Sequence, residues 1–348
     1  MKVVDLFCGS GGLSFGASAA QLDVAMGVDL DRHAIGTYKK NFGEDATLSF
    51  DLCNPAVDLC SHLPEHDILV AGPPCQSFST SNQKTRTDKN PLNNLLFVPV
   101  EVAKLTEPRA IIVENVHGLG IGSRRKYLER LTQSMAELGY HPTVVQVSGA
   151  EVGLPQNRTR LFVVGLRKAG FEIKLNTIHQ PTVWDAISDL PRLENGASVD
   201  TLPYGSSATS AYAKSLRARK RICTGNLVTD NAEKIVQRYE HIPQGGNWKS
   251  IPVHLMDDYS DVTRCHTGIY HRLVSDKPAK VVGNFRKNML VHPHQHRGLS
   301  IREAARLQSF PDKYLFVGSI GKQQQQVGNA VPPLMAKAVI SQVANFLE

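Results

Sequence analysis

The chain has 348 residues, 41% of them hydrophobic and 20% charged, a balance that fits a folded globular protein and not a disordered one. Net charge is 39 − 32 = +7, which favours a polyanionic partner. The six cysteines (Cys8, Cys53, Cys60, Cys75, Cys223 and Cys265) include no CxxC pair, so neither a zinc ribbon nor a disulfide framework is suggested. No segment reads as apolar enough to span a bilayer, and the opening residues carry no charged leader with an apolar stretch behind it. A cytoplasmic location and no membrane partner are expected.

Residues 1–170 alternate short apolar runs with amphipathic stretches, the pattern of a parallel sheet covered by helices. Five runs end in residues with chemistry. Lys2–Asp5 leads into Phe7-Cys8-Gly9-Ser10-Gly11-Gly12, Val24–Val28 ends at Asp29, and Thr47–Phe50 ends at Asp51. Ile68–Ala71 ends before Cys75, and Ala110–Val113 ends at Glu114-Asn115. An open parallel sheet binds ligands outside the carboxyl ends of its strands, so these residues are expected to share one site. Gly9, Gly11 and Gly12 permit a tight turn and close backbone approach to a ligand. The position three after Gly11 is Ser14, which breaks a dinucleotide fingerprint. Asp29 suits a ribose hydroxyl pair and Asp51 an adenine amino group. A nucleoside without a pyrophosphate grip points to S-adenosylmethionine.

The run Ile68–Ala71 stops at Gly72-Pro73-Pro74, where a strand ladder cannot continue. Cys75, just past that break, is placed either as a nucleophile or as an ordinary buried thiol. The polar, basic stretch Ser77–Lys89 reads either as a disordered surface loop or as a loop closing over a bound ligand. Helices are expected over Asn93–Leu105 and Arg124–Leu138. Gln156, Arg158 and Arg160 alternate along an extended segment entering Leu161–Val164, and period two puts their side chains on one face.

From about residue 171 the alternation ends and Pro, Gly, Ser and Asn punctuate short runs. Residues 171–300 carry 17 Lys/Arg against 12 Asp/Glu, so +5 of the +7 lies there. An irregular, mostly β domain is expected, with Lys214–Arg221 and Gly245–Lys249 as candidates for phosphate and groove contacts. His292, His294 and His296 lack a matching carboxylate or thiolate, so no metal is expected. Arg302 and Arg306, at i and i+4, share a helix face and would either pair internally or join two domains. A last helix is expected over Leu334–Leu347.

DLFCGSGG, GPPCQSFS, ENV (114–116), QNRTR (156–160), REAARLQSFPD (302–312) and QVGNAVPP (326–333) resemble the signature motifs of the DNA cytosine-5 methyltransferase family, in the family's order. Only roughly 175–285 is unmatched. The resemblance implies an α/β, Rossmann-like S-adenosylmethionine-dependent methyltransferase domain with a smaller target-recognition domain. Its expected limits are 1–172 for the catalytic part, 173–315 for target recognition and 316–348 for a C-terminal segment returning to the first domain.

Cytosine C5 is a poor nucleophile. A thiolate adding at C6 pushes electron density to C5, which then attacks the sulfonium methyl; the resemblance assigns that thiolate to Cys75. It places Glu114 at N3 and the exocyclic amine, best in protonated form. Arg160 is assigned to the cytosine O2 and Arg158 to support of the nucleophile loop, with water taking the C5 proton. Cofactor contacts are expected from Phe7, Gly9, Gly11, Gly12, Leu13, Asp29, Leu30, Asp51, Leu52, Pro74, Leu96 and Asn329. Substrate contacts are expected from Gln76, Ser77, Ser79, Gln156 and Arg302. Asn93-Asn94 departs from the Arg-Gly usual in the family. The implied partners are double-stranded DNA, from which the cytosine is flipped out, and a cognate restriction endonuclease. S-adenosyl-L-homocysteine is the implied product, and a monomer acting at the nucleoid the implied state.

Three alternative readings compete with this one. An RNA (tRNA) cytosine-5 methyltransferase shares these motifs, but the length and the basic 171–300 region favour DNA. A zinc cytidine deaminase needs HxE and PCxxC, and Pro74-Cys75 is followed by Gln, Ser and Phe. A non-enzymatic DNA-binding module is opposed by Cys75, Glu114 and Arg160 together.

Overall fold

The structure, a computed structural model, describes residues 1–74, 91–217, 221–259, 268–283, 285 and 290–348. The chain divides into two units, 1–152 with 159–178 and 331–348, and 153–158 with 179–330.

Unit 1 begins with β1 (Lys2–Leu6), α1 (Gly12–Ala19), β2 (Asp23–Asp29), α2 (Arg32–Phe42), β3 (Thr47–Ser49), α3 (Ala56–Cys60) and β4 (Ile68–Ala71). After a 3₁₀ turn at Pro91–Phe97 come α4 (Val98–Thr106), β5 (Ala110–Val116), α5 (Arg125–Glu137), β6 (His141–Ser148) and β7 (Thr159–Leu166). The sheet order is β3-β2-β1-β4-β5-β7-β6. β1 to β5 run parallel, and β7 is antiparallel to both neighbours. All four residues of β4 are buried, as expected of a central strand covered on both faces. One core joins Val4, Leu6, Leu69, Ile111 and Val113 of the sheet to Val102 of α4 and Leu131 of α5. The five strands expected from the sequence are present, four of them within one residue at each end and the fifth running three residues further, to Val116. The β6–β7 hairpin at the sheet edge was read only in part, because β6 is half exposed and lacks a continuous apolar run.

Unit 2 holds α6 (Val183–Ile187), β8 (Leu202–Pro203), α7 (Ala211–Leu216), β9 (Ile222–Cys223), α8 (Glu233–Glu240), β10 (His271–Arg272), β11 (Leu290–Val291), α9 (Ile301–Leu307) and α10 (Ile320–Asn329). It is irregular, as expected, but among its described residues helix exceeds strand. β8–β9 and β10–β11 are two-residue pairs. A domain described as mostly β is therefore corrected to irregular with short helices. The backbone here is satisfied by side chains more than by ladders. Arg272 alone donates to the carbonyls of Ile242, Tyr239, His292 and Gln295.

The return to unit 1 starts at Val331, not at 316, because α10 belongs to unit 2. Gly328 of α10 lies so close to Gly283 that an added Cβ would stand 2.2 Å from its carbonyl oxygen. α11 (Pro333–Leu347) then packs on α1 in unit 1. Gly16 admits this contact, since a Cβ there would stand 2.3 Å from that of Ala336. By length and composition Ile320–Leu347 is apolar enough to cross a membrane, contrary to the reading of the sequence, but half of that window is buried. It is divided between α10 and α11 by Ala330–Pro332.

Candidate active site

The first strand ends in a loop shaped by backbone conformation. Phe7 has φ +56°, and Gly9 and Gly11 have φ +52° and +82°. Left-handed φ is ordinary for glycine and strained for phenylalanine, and such strain collects at ligand sites. The Gly9 amide donates to Asp29 Oδ2 at 2.8 Å, while Asp29 Oδ1 accepts from the Asp31 amide at 2.8 Å. Burial raises the Asp29 carboxyl above its ordinary range, against the pull of those amides. The first loop and the end of β2 are thus one piece, as the sequence suggested.

Among the described residues a Cβ added at Gly9 would meet nothing nearer than the Phe7 carbonyl at 4.0 Å, which leaves that side open to a ligand. Gly12 differs. A Cβ there would stand 2.2 Å from the Val331 carbonyl oxygen, so its missing side chain makes room for the returning chain. Leu13 is buried, Leu30 is 59% exposed beside Asp29, and Leu52 and Leu96 belong to the core of unit 1. Asp51 accepts from the Cys53 amide at 2.9 Å.

The ends of β4 and β5 form the second half. The Gly72 amide donates to the Leu6 carbonyl at 3.2 Å. Asn115 Nδ2 donates to the Pro73 carbonyl at 3.3 Å, fixing the turn that leads through half-buried Pro74 to Cys75. A Cβ at Gly72 would lie 3.7 Å from the Leu13 side chain, 3.8 Å from Glu114 Oε2 and 4.0 Å from the Phe7 carbonyl oxygen, so the first loop and the Glu114 carboxylate both border this glycine. Glu114 is buried, and Arg160 Nε stands 2.8 Å from its Oε1. The strand pairing that sets Val116 opposite Arg160 brings the two together across β5 and β7. Any ligand that reaches this carboxylate would therefore share it with a guanidinium. Cys75, Gln76, Ser77 and Ser79, with the Ser77–Lys89 loop, lie outside the described residues.

The remaining expected residues sit in unit 2. Gln156 is fully buried, donates to Leu307 O and Gln308 Oε1 and accepts from the Val282 amide. Arg158 donates to the carbonyls of Val282 and Ala330 at 3.1 and 3.0 Å. One shared face for Gln156, Arg158 and Arg160 gives way to separate sets of partners. Arg302, expected at the substrate, is 1% exposed and donates to the carbonyls of Thr224, Pro311 and Tyr314. Arg306 binds Asp189 and Asp312. Both arginines take the internal alternative. Asn329 is exposed at the end of α10.

Among the described residues no group of three His, Cys, Asp or Glu side chains is arranged to hold a metal. His292 is buried, and desolvation lowers it to about 4, so the imidazole is neutral at pH 7.

Two contributors were missed. Asp5 is fully buried inside β1 under the loop, and Val331 fills the space left by Gly12. A carboxylate within an otherwise apolar strand is a sequence signal for Asp5. No local signal exists for Val331, which meets Gly12 across more than 300 residues of chain.

Comparison with known proteins bears on this geometry. A type II methyltransferase of Haemophilus parahaemolyticus, M1.HphI, is 34% identical over 99% of this chain and 86% of its own length. M.AplI of Arthrospira platensis is 32% identical over 100% of this chain and 87% of its own length. The solved structure of a prophage-encoded putative DNA modification methyltransferase from E. coli has a TM-score of 0.80 at 24% identity, covering 100% of this chain and 99% of that one. That likeness concerns the fold. The family model for C-5 cytosine-specific DNA methylases matches residues 1–345. A site with a glycine loop, a buried carboxylate at the end of β5 and a Pro-Pro-Cys turn between them is in keeping with these matches: the chain belongs to the C-5 cytosine-specific DNA methylase family, and its reaction is methylation of cytosine C5 in DNA.

Proposed function

We propose that the chain methylates C5 of a cytosine flipped out of a short duplex DNA site, with Cys75 as nucleophile and S-adenosylmethionine as donor. The observation that carries this reading is the buried Glu114–Arg160 pair at 2.8 Å, with Glu114 and the first loop both bordering Gly72. Methyl donor and base would meet there.

The residues fit such a donor. The open side of Gly9 leaves room for it, and Asp29, already ordered by two amides, suits a ribose. Phe7, Leu13, Leu30, Asp51, Leu52, Pro74 and Leu96 lie on the same strand ends or the elements next to them, and Gly11 gives the loop its turn. When bound, S-adenosylmethionine supplies an electrophilic methyl group and leaves as S-adenosyl-L-homocysteine. The Cys75 thiolate forms a bond to C6, and the displaced electron pair moves toward N3 and C5. Glu114 holds N3 and the exocyclic amine, while Arg160 orients Glu114 and reaches O2. After methylation a water takes the C5 proton, the C5–C6 double bond re-forms, and the thiolate departs. Arg158, which holds the carbonyls of Val282 and Ala330 within unit 2, would support the nucleophile loop.

We further infer the modification half of a type II restriction-modification system, on the printed names of the relatives. A companion endonuclease would recognise the same site. The chain would act as a cytoplasmic monomer at the nucleoid, and unit 2 would read the sequence.

The test is expression in a bacterium lacking cytosine methylation, followed by bisulfite sequencing, beside Cys75→Ser and Glu114→Gln variants. Protection at one short motif is expected, lost in both variants. Folded protein with no protected cytosine overturns the DNA reading, and tRNA is then the substrate to assay.

A further inference from the structure

Helix α1 starts at Gly12 with Gly11 in the N-cap position, and glycine has no side chain to cap it. The cap comes from β1. Asp5 Oδ2 accepts from the Ser14 amide at 3.2 Å and from Ser14 Oγ at 2.6 Å. Ser14 is the third residue of the helix, where a capping side chain normally bonds. Ser14 Oγ also lies 2.7 Å from the Tyr38 hydroxyl. Since Ser14 gives its own hydrogen to Asp5, Tyr38 donates to Ser14. The space for Tyr38 is provided by Gly27, where a Cβ would stand 2.2 Å from the ring. Asp5, Ser14 and Tyr38 are each at most 0% exposed. Asp5 Oδ1 makes no hydrogen bond among the described residues, an expensive position for a charge.

We propose that Asp5, Ser14 and Tyr38 form a positioning relay that sets the glycine loop, so that affinity for S-adenosylmethionine rises when Asp5 ionises. The proposal rests on the reading of that loop as the cofactor site. An ionised Asp5 accepts more strongly from both Ser14 donors than the neutral acid does. It therefore fixes the first turn of α1, from which the loop hangs. It also places a negative charge beneath a ligand whose sulfonium and amino groups are positive. Burial raises the Asp5 carboxyl to about 7, and Asp29 adds repulsion, so the change of state falls near neutral pH. The titratable groups that interact with Asp5 are Asp29 at the end of β2 and Cys8 in the loop, while Tyr38 on α2 reaches it through Ser14. The Cys8 thiol is held neutral by its own burial.

The test is calorimetric titration of the full chain with S-adenosylmethionine from pH 5.5 to 8.5, with the thermal midpoint measured on each sample. For the wild type, affinity is expected to rise about tenfold across that range. Asp5→Asn keeps the ligand's own titrations and is expected to lose most of that rise. Tyr38→Phe and Ser14→Ala each remove a donor that favours the carboxylate, and are expected to move the transition to higher pH, Ser14→Ala further. A purely structural role would lower the midpoint without moving the transition. Wild-type affinity that rises no more than that of Asp5→Asn overturns the relay while leaving the cofactor site intact. An unshifted transition in a folded Tyr38→Phe or Ser14→Ala protein overturns it too. No binding by the wild type at any pH overturns the reading of the loop, and the relay with it.

Discussion

Unit 1 and unit 2 solve the same problem with different means. Every buried backbone polar group needs a partner. In unit 1 the partners come from a seven-stranded sheet, so the side chains on its strands are free to be apolar. Unit 2 has only two-residue strands among its described residues, and long arginines take the place of ladder bonds. Arg238, Arg272, Arg297, Arg302 and Arg306 are each 4% exposed or less. Three of them, Arg238, Arg272 and Arg297, fall among the 17 basic residues of 171–300 that argued for a polyanionic partner. The difference teaches that a basic region is not wholly a basic surface.

Arg306→Met is the sharpest way to break this contrast. Arg306 donates to the carbonyl of Ala186 and to the carboxylates of Asp189 and Asp312, themselves 1% and 4% exposed. Removing it leaves two buried carboxylates short of countercharge, although Asp189 keeps Arg217 and Asp312 keeps the Tyr204 hydroxyl. Breaking a buried pair typically costs about 3–5 kcal/mol. Urea unfolding is expected to show a loss of that size. A loss below about 1 kcal/mol, within the range of an ordinary surface change, would mean that unit 2 is held by packing instead.

The units should also differ in their response to pH. Arg297 donates twice to Glu303, at 2.9 and 2.7 Å, and holds it down to about 2 from 4.5. A depressed carboxyl contributes stability that is whole above pH 4.5 and is lost as pH falls through 2, here about 3 kcal/mol. His292, lowered from 6.5 to about 4, acts in the same direction, since unfolding lets it take a proton that the fold refuses. In unit 1 the sign reverses. Asp5 is raised from 3.8 to about 7, so its contribution is whole below 3.8 and is lost as pH rises through 7. Thermal midpoints from pH 3 to 8 should therefore fall on the acid side through unit 2, and Glu303→Gln should flatten that limb. An unchanged acid slope in Glu303→Gln would assign the acid sensitivity elsewhere.

This contrast also marks what could be read from the chain alone. The runs Ile68–Ala71 and Ala110–Val113 announce buried strands because a covered parallel sheet demands continuous apolar residues. Once those strands are parallel, their ends must gather Gly9, Asp29, Gly72 and Glu114. Arg302 and Arg306 share a helix face in sequence and in structure, yet spacing cannot say whether that face meets DNA, another domain or Asp189 and Asp312. Gly12 was legible as a glycine that matters, but Val331 meets it only in three dimensions. Lys214–Arg221 stays partly outside the described residues, so its part in DNA binding rests on charge.

Gly12 and Gly9 sharpen the comparison inside unit 1. Gly12→Ala drives a Cβ to 2.2 Å from a backbone oxygen of the returning segment, which cannot rotate away. Overpacking of this kind costs about 1–3 kcal/mol, read as a lower thermal midpoint. Gly9→Ala meets no described residue closer than 4.0 Å but strains φ +52° and fills the side left for a ligand. It is expected to weaken cofactor binding more than it lowers the midpoint. The reverse pattern would exchange the roles assigned to these two glycines.

Asn115→Ala is expected to have the smallest effect on stability and a larger one on rate. The Asn115 bond to the Pro73 carbonyl is long, 3.3 Å, and a net loss of about 0.5–1.5 kcal/mol is ordinary for such a bond. The fold should tolerate that, because the Gly72 amide stays tied to the Leu6 carbonyl and the ladder beneath is complete. The Pro73-Pro74 turn nevertheless leads directly into Cys75, the proposed nucleophile, and a reacting group displaced by about 1 Å loses on the order of 10²-fold in rate. Single-turnover methylation of a duplex containing the recognised site should therefore fall far more than the unfolding free energy, with cofactor affinity nearly unchanged. A rate that falls only in proportion to stability would mean that the ladder positions the turn without help. Unit 1 would then spend no buried polar side chain on its nucleophile, and its contrast with unit 2 would be complete.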